Sequence, residues 1–488
     1  MHTSPCIDQL TSALPRDVVE EIFLQYVTPF EWDGCIRGRK RRSPPGRHSP
    51  STRLPLLLSH VSKTWRALVQ NTPALWTNVC LHNPSWNPAI FQQILRYSKR
   101  SPLTACIILD GVDIEYFLDV SVKELFTQSD RIRSFRLVVG QHEGGLWDTM
   151  VPIPPMTRLE ELKIKVSLPD QSITHLYPLF DSPQLHKVTW LSPHFPQPLR
   201  TIRPQMKELT ITMFETYSRR AQINSMQTQL SDVFRACPNL TYLDVRKDEE
   251  SFDDGPGPIT PAFPLQDLRD LRAFNSGFTI RLCTAPNLRS LTFHTKDYTR
   301  RTNLLQFLSS SPQIEHLNLH LCSDQLSFDE IIAQIIPLAP SVVTLEFTFR
   351  EDEAPIENIN RTLEMLSRTG ARAPALPKLQ HLTMNATSTN VYQPNGLRFE
   401  YDEAVVLRML ESRCSPSSGR EQPSLDGELA VAALSSCTMN DGEELWGASS
   451  RPHRATGKWR GAERRRLEKL REHGLVLKGN VFTPLLCQ

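Results

Sequence analysis

Four stretches in the middle of the chain read alike: CPNLTYLDV at 237–245, APNLRSLTF at 285–293, SPQIEHLNL at 311–319 and LPKLQHLTM at 376–384. In each, an apolar residue follows Pro by two positions and is itself followed by apolar residues at +3 and +5. Working outward at this register, looser copies bring the starting residues to Ile132, Leu159, Leu185, Met206, Leu240, Leu268, Leu288, Ile314, Val342 and Leu379. Seven of the ten carry Pro two residues before the start, at 183, 204, 238, 286, 312, 340 and 377. There it stops a preceding helix and sets an extended entry.

Side chains alternate across a strand, so +2, +4 and +6 should point away from a core that holds the start, +3 and +5. Of those outward positions only Val138, Leu191 and Phe274 are apolar, with Tyr242 counted as polar. Between the strands lie segments of helical spacing, such as Ile223, Met226, Leu230, Val233 and Phe234, or Ile331, Ile332, Ile335 and Ile336 ahead of Pro337. The expected fold is therefore α/β: stacked strand-plus-helix units forming a curved solenoid over 87–411, with strands on the concave side. The mean spacing of about 27 residues falls within the range of leucine-rich repeats. Its unevenness leaves an ordinary α/β domain as the alternative.

The expected concave face is chemically mixed. It carries Glu161, Lys163, Lys165 and Lys187, then Asp244, Arg246, Asp270 and Arg272, then His294, His316, His320 and His381. Such a face suits a polar protein surface or peptide, and Lys163, Lys165, Arg246, Arg272, His316 and His320 are the candidate target-binding residues. His316 and His320 lie about 13 Å apart along one strand face, too far to share a metal ion.

Composition narrows the function classes. With 55 Lys and Arg against 53 Asp and Glu the formal charge is +2, which gives no overall field toward nucleic acid or anionic lipid. The ten cysteines are widely scattered, so neither a zinc site nor a disulfide framework is expected, and buried free thiols in a reducing compartment fit them. No stretch reaches the ~18 apolar residues of a membrane span, and MHTSPCIDQL at the start is no signal peptide, so cytosol or nucleus is the expected location. HExxH, GxxxxGK[ST], GxSxG and GxGxxG are all missing, so no catalytic residue, cofactor or metal site is proposed. A deep pocket joining Ser, His and a carboxylate would be needed to revive a hydrolase reading.

Residues 10–79 have another character. After Pro15, Val18, Val19, Ile22, Phe23 and Tyr26 fall on one helical stripe, and Leu54, Leu57, Leu58, Val61, Trp65 and Leu68 make a second. A segment this small buries too little to stand alone, so a partner or the solenoid must cover part of it.

These residues carry a resemblance. Leu14-Pro15-x-Asp17-Val18-Val19-x-x-Ile22-Phe23, then Leu56-x-Leu58-x-x-Val61-Ser62-x-x-Trp65-Arg66-x-Leu68, closing with Pro73-x-Leu75-Trp76, looks like an F-box. The chain resembles the F-box proteins with irregular leucine-rich repeats that are abundant in mushroom-forming fungi. Asn87 to Ser98, followed by Arg100-Ser101-Pro102-Leu103-Thr104, is similar to the helix and strand joining the two parts in that group. The resemblance implies a subunit of an SCF-type cullin-RING ubiquitin ligase. Its F-box would bind the Skp adaptor, and through it a cullin, while the repeats hold the protein to be ubiquitylated. Leu14, Pro15, Val18, Ile22, Phe23, Leu58, Val61 and Trp65 would face the adaptor or support the facing surface. The alternative is a scaffold outside any ligase, in which these helices only cap the repeats.

Asp17 and Ser62 depart mildly from that pattern, which usually has Glu and Cys there. The larger departure is a Pro- and Arg-rich insert, 31–52, expected to be a solvated loop. Within it Arg37, Arg39, Lys40, Arg41 and Arg42 form a basic run that a nuclear import receptor could read or that could touch nucleic acid, although a solvated loop accounts for it with charge alone and nothing aromatic interleaves it. The solenoid is expected to end near Val405–Ser412. Residues 415–459 lose periodicity and read as disordered, and ERRRLEKLREHG at 463–474 returns to helix with Gly474 as its cap, within a C-terminal helix over 461–474 that covers the last repeat.

Overall fold

The computed structural model describes residues 13–27, 50–82, 87–109, 121–140, 152–166, 176–192, 204–213, 219–247, 262–295, 301–321, 333–350, 356–367, 376–387, 402–414, 433–440, 459, 461–478 and 482. The chain divides into two compact units, Met1–Thr216 and Tyr217–Gln488. Most of the insert, 31–49, and the basic run within it lie outside the described residues. Among the described residues no helix is long and apolar enough to cross a membrane.

The first unit opens with helices α1 (Arg16–Tyr26), α2 (Pro50–Ser59) and α3 (Lys63–Asn71) and a 3-10 turn at Pro73–Trp76. Strands and helices then alternate irregularly: β1 (Asn78–His82), α4 (Pro88–Ser98), β2 (Leu103–Leu109), α5 (Lys123–Phe126), β3 (Ile132–Val139), β4 (Glu161–Val166), α6 (Tyr177–Phe180), β5 (Lys187–Leu191) and β6 (Glu208–Met213). Every strand pairs in parallel with the next in sequence.

The second unit runs α7 (Arg219–Ala236), β7 (Tyr242–Lys247), β8 (Phe263–Pro264), β9 (Asp270–Phe274), α8 (Gly277–Leu282), β10 (Cys283–Thr284), β11 (Ser290–Thr295), α9 (Arg301–Ser309) and β12 (His316–Leu321). It continues through a 3-10 turn at Ile336–Leu338, β13 (Thr344–Arg350), α10 (Ile356–Leu366), β14 (His381–Thr387), α11 (Glu403–Cys414), β15 (Ser436–Asn440), α12 (Gly461–Glu472) and β16 (Val476–Lys478). Its main sheet is parallel, in the order β7-β9-β11-β12-β13-β14-β15-β16, while β8 and β10 pair separately. Both units are thus α/β with parallel sheets, compatible with a stacked solenoid.

The repeat register is the register of the sheet. The +2 residues Tyr242, Asp270, Ser290, His316, Thr344 and His381 stand opposite one another strand by strand. Every residue at the start, +3 and +5 of the ten units is buried. Apolar burial of these positions, worth about 1.5–3 kcal/mol for each large side chain, is what fixes which face turns inward.

Pro does something more specific than end a helix. The backbone N–H of Leu185, Leu288, Val342 and Leu379 donates to the carbonyl three residues earlier, at Ser182, Ala285, Ala339 and Leu376. Pro183, Pro286, Pro340 and Pro377 therefore occupy the second position of a β-turn that aims the chain into the strand.

Four boundaries differ from the sequence expectation. First, β1 begins at Asn78, inside the expected helical module, because Trp76, Val79 and Leu81 repeat the core spacing and are buried. Second, α2 begins at Pro50, inside the expected loop. Third, 433–440, within the stretch expected to be disordered, contains β15, with Leu434, Cys437 and Met439 buried at start, +3 and +5. The unit lacks the entry Pro, which hid it. Fourth, α12 is followed by β16, which pairs with β15, so the sheet extends beyond 411.

Candidate functional site

In the first unit α1 divides its apolar residues between two sides. Val19, Phe23 and Val27 are buried, and the Phe23 ring packs on Trp65 of α3 with centroids 4.6 Å apart. Ser62 caps α3, its hydroxyl accepting from the Trp65 N–H at 3.2 Å, and the Arg66 guanidinium donates to the Ser59 carbonyl at 3.0 Å. The Trp76 indole N–H donates to the Val69 carbonyl at 2.7 Å, tying the helices to the start of β1.

The other side of α1 is open. Val18 is 40% exposed, Ile22 51% and Tyr26 60%, a line at four-residue intervals along the helix, and Leu14, two residues before its first turn, is 44% exposed. Pro15, just before the helix, is exposed, and so is Leu57 of α2. Among the described residues, Leu14, Val18, Ile22, Leu24, Tyr26, Leu57 and Val476 are the large apolar side chains left exposed. All but the last lie on or just before these N-terminal helices.

The eight residues singled out in this module therefore separate. Leu14, Pro15, Val18 and Ile22 form the open line, Val61 and Trp65 are half-buried, and Phe23 and Leu58 are buried. Phe23 and Leu58 do not face outward: both are buried, and Phe23 packs on Trp65, because a single stripe cannot pack inward and outward at once.

On the open sheet face of the second unit, Arg246, Phe274, His294 and His320 stand in one row, paired strand to strand. The Arg246 guanidinium lies 4.6 Å from the Phe274 ring centre, Phe274 meets His294 edge-on at 6.0 Å, and His294 lies 4.0 Å from His320. His320 thus meets a histidine across strands, while His316 stands exposed in another row.

Arg246 also grips Asp244, which is 2% exposed, through Nε–Oδ1 at 2.9 Å and Nη2–Oδ2 at 2.8 Å. Tyr242 donates its hydroxyl to Asp244 Oδ2 at 3.3 Å, and burial, reinforced by the Asp244 charge, pushes that hydroxyl up to about 12. Arg272 pairs with Asp270 at 3.6 Å and lies over the Tyr242 ring. Both candidate arginines are therefore held by carboxylates and rings of the same face.

In the first unit Lys163 and Lys165 are half-buried on β4. Lys187 bridges Glu161 at 3.9 Å and Glu208 at 2.8 Å, and its hydrogen bond to Glu208 holds its ammonium above the ordinary lysine range. Lys163 and Lys165 belong to a different unit from the four other candidates.

The row of Arg246, Phe274, His294 and His320 was available in the sequence: all four are +6 positions, and stacking the units in step puts them side by side. Phe274, one of the three exceptions to the polar pattern, joins the arginine to the histidines. In comparisons with known proteins no family model matches the chain, and no curated protein matches it.

Proposed function

We propose that this chain is the substrate-recruiting subunit of an SCF-type cullin-RING ubiquitin ligase, an F-box protein with irregular leucine-rich repeats. Leu14, Pro15, Val18 and Ile22 dock on the Skp adaptor, and the open sheet face holds the target protein. The chain performs no bond chemistry: it brings a target lysine close to the charged ubiquitin carrier, raising its effective concentration.

One observation carries this reading. The line Leu14, Val18, Ile22 and Tyr26 is exposed in a chain that buries nearly all its other described large apolar side chains. A contiguous apolar line of this kind is the usual mark of a helix that packs on a partner. It also favours the adaptor over the capping scaffold, in which the same side would be covered.

The test is co-purification of the full chain with the Skp adaptor, beside the double variant Val18→Asp, Ile22→Asp. Both residues are exposed, so the variant should fold as the native chain does. Binding that falls at least tenfold in the variant, with an unchanged melting temperature, supports the reading. No binding by the native chain, or equal binding by both, overturns it.

A further inference from the structure

Strand β1 lies beside β2 with Cys80 opposite Cys106, and Cys106 stands opposite Arg136 on β3. Residues in register point to the same side of a sheet, and here the thiols share a small buried cluster with Ile108, against which Val138 packs. Neighbouring strands run about 4.8 Å apart, inside the ~4.4–6.8 Å range of α-carbon separations that a disulfide spans. Both cysteines are free thiols in this structure.

Their surroundings set them apart from the other buried cysteines. Burial pushes the thiols of Cys237, Cys283 and Cys437 up to about 12. Cys80 moves the other way: the hydrogen bond with Cys106 lowers it, Arg136 adds its charge, and together they outweigh burial. The thiolate is the attacking form of cysteine. Cys80 and Cys106 also keep 4% and 5% exposure, against 1% or less at the other three.

We propose that Cys80 and Cys106 form a redox-active pair in which Cys80 attacks the oxidant, Cys106 resolves the adduct, and the product is a disulfide bonding β1 to β2. With glutathione disulfide as oxidant, the Cys80 thiolate attacks one of its sulfurs, the S–S bond of the oxidant breaks, and one glutathione leaves as thiolate. Cys106, having lost its proton, attacks the Cys80 sulfur and the second glutathione leaves. The protein dithiol gives up two electrons, the oxidant becomes two thiols, and the cysteine protons end on them. The exchange is reversible, since an excess of thiolate attacks the protein disulfide by the same route in the other direction. The bond fastens the strand into which Trp76 leads, whatever partner the helices before it bind.

The full chain is equilibrated in glutathione buffers of rising disulfide content, acid-quenched, unfolded, alkylated with N-ethylmaleimide and mapped by mass spectrometry. A pair of peptides joined through Cys80 and Cys106 should appear in one transition and vanish with dithiothreitol, while Cys237, Cys283 and Cys437 remain thiols. Cys106→Ala should trap a glutathione adduct on Cys80, and Cys80→Ala should leave Cys106 unmodified. Alkylation of both thiols at every ratio in the folded native chain overturns the proposal without recourse to the variants. A lasting glutathione adduct on Cys80 of the native chain, with Cys106 free, overturns it as well.

Discussion

Glu346 accepts from the side-chain amides of Asn318 and Asn385, both at 2.8 Å, yet burial still pushes its carboxyl above the ordinary glutamate value of 4.5. Burial raises Asp270 too, against the pull of Arg272. Such groups hold a proton to higher pH in the folded chain than in the unfolded one, so stability falls as pH rises through that window. Glu346→Gln should flatten part of this fall above about pH 4.5, read from urea denaturation at stepped pH. Arg413 is a second residue whose role no periodicity reveals. It is fully buried and donates to the carbonyls of Leu366 at 2.7 Å and Leu376 at 2.9 Å, joining the end of α10 to the turn before β14. Arg413→Met should cost about 2–3 kcal/mol in denaturant titration, because two buried carbonyls lose charged donors. In a sequence, arginine reads as surface. The pairing of Arg246 with buried Asp244 was hidden for the same reason, since polar face positions are legible as outward-facing but not as partners.

Strands were the legible elements, because an apolar start, +3 and +5 and a polar +2, +4 and +6 are two constraints on one short segment. Where the entry Pro was missing, as before Leu434, the same spacing went unread. Short helices such as α5 and α6 carry less than two turns of pattern and gave no signal at all. Helix ends were better marked. Gly474 sits at φ +95°, its N–H reaching the Arg471 carbonyl at 2.9 Å while the Leu475 N–H reaches Leu470 at 3.1 Å. These two bonds close the end of α12 in a Schellman arrangement. Gly474→Ala meets no neighbouring atom within 4 Å, so its cost is that of the backbone conformation, about 1–2 kcal/mol, measurable as faster amide exchange over α12 and β16. In α1, Phe23→Ala removes the ring packed on Trp65 and should loosen the N-terminal helices by about 3 kcal/mol. Ile22→Ala, on the open side, should leave their exchange unchanged.

For the molecule as a whole, the α/β class and the repeat register could be read ahead of the structure, whereas the division at Thr216 could not. The candidate adaptor line was half legible: helical spacing gathered Val18, Ile22 and Phe23 on one stripe, but only packing against Trp65 decides that Phe23 turns inward. An exposed apolar line should bind an environment-sensitive hydrophobic dye, and Val18→Asp with Ile22→Asp should lower that fluorescence while circular dichroism stays the same. Adding the adaptor to the native chain should quench it in the same way. The in-step pairing of the strands has a metric consequence for anything resting on the open face of the second unit. Side chains there recur about every 4.8 Å from strand to strand but about every 6.6 Å along a strand. An extended polypeptide has this second pitch itself, so laid along the strands it can match side chain for side chain. Laid across them it drifts out of phase and meets matching positions only about every 20 Å, like a vernier scale. The direction in which a bound segment lies thus determines how much of its sequence the face can compare.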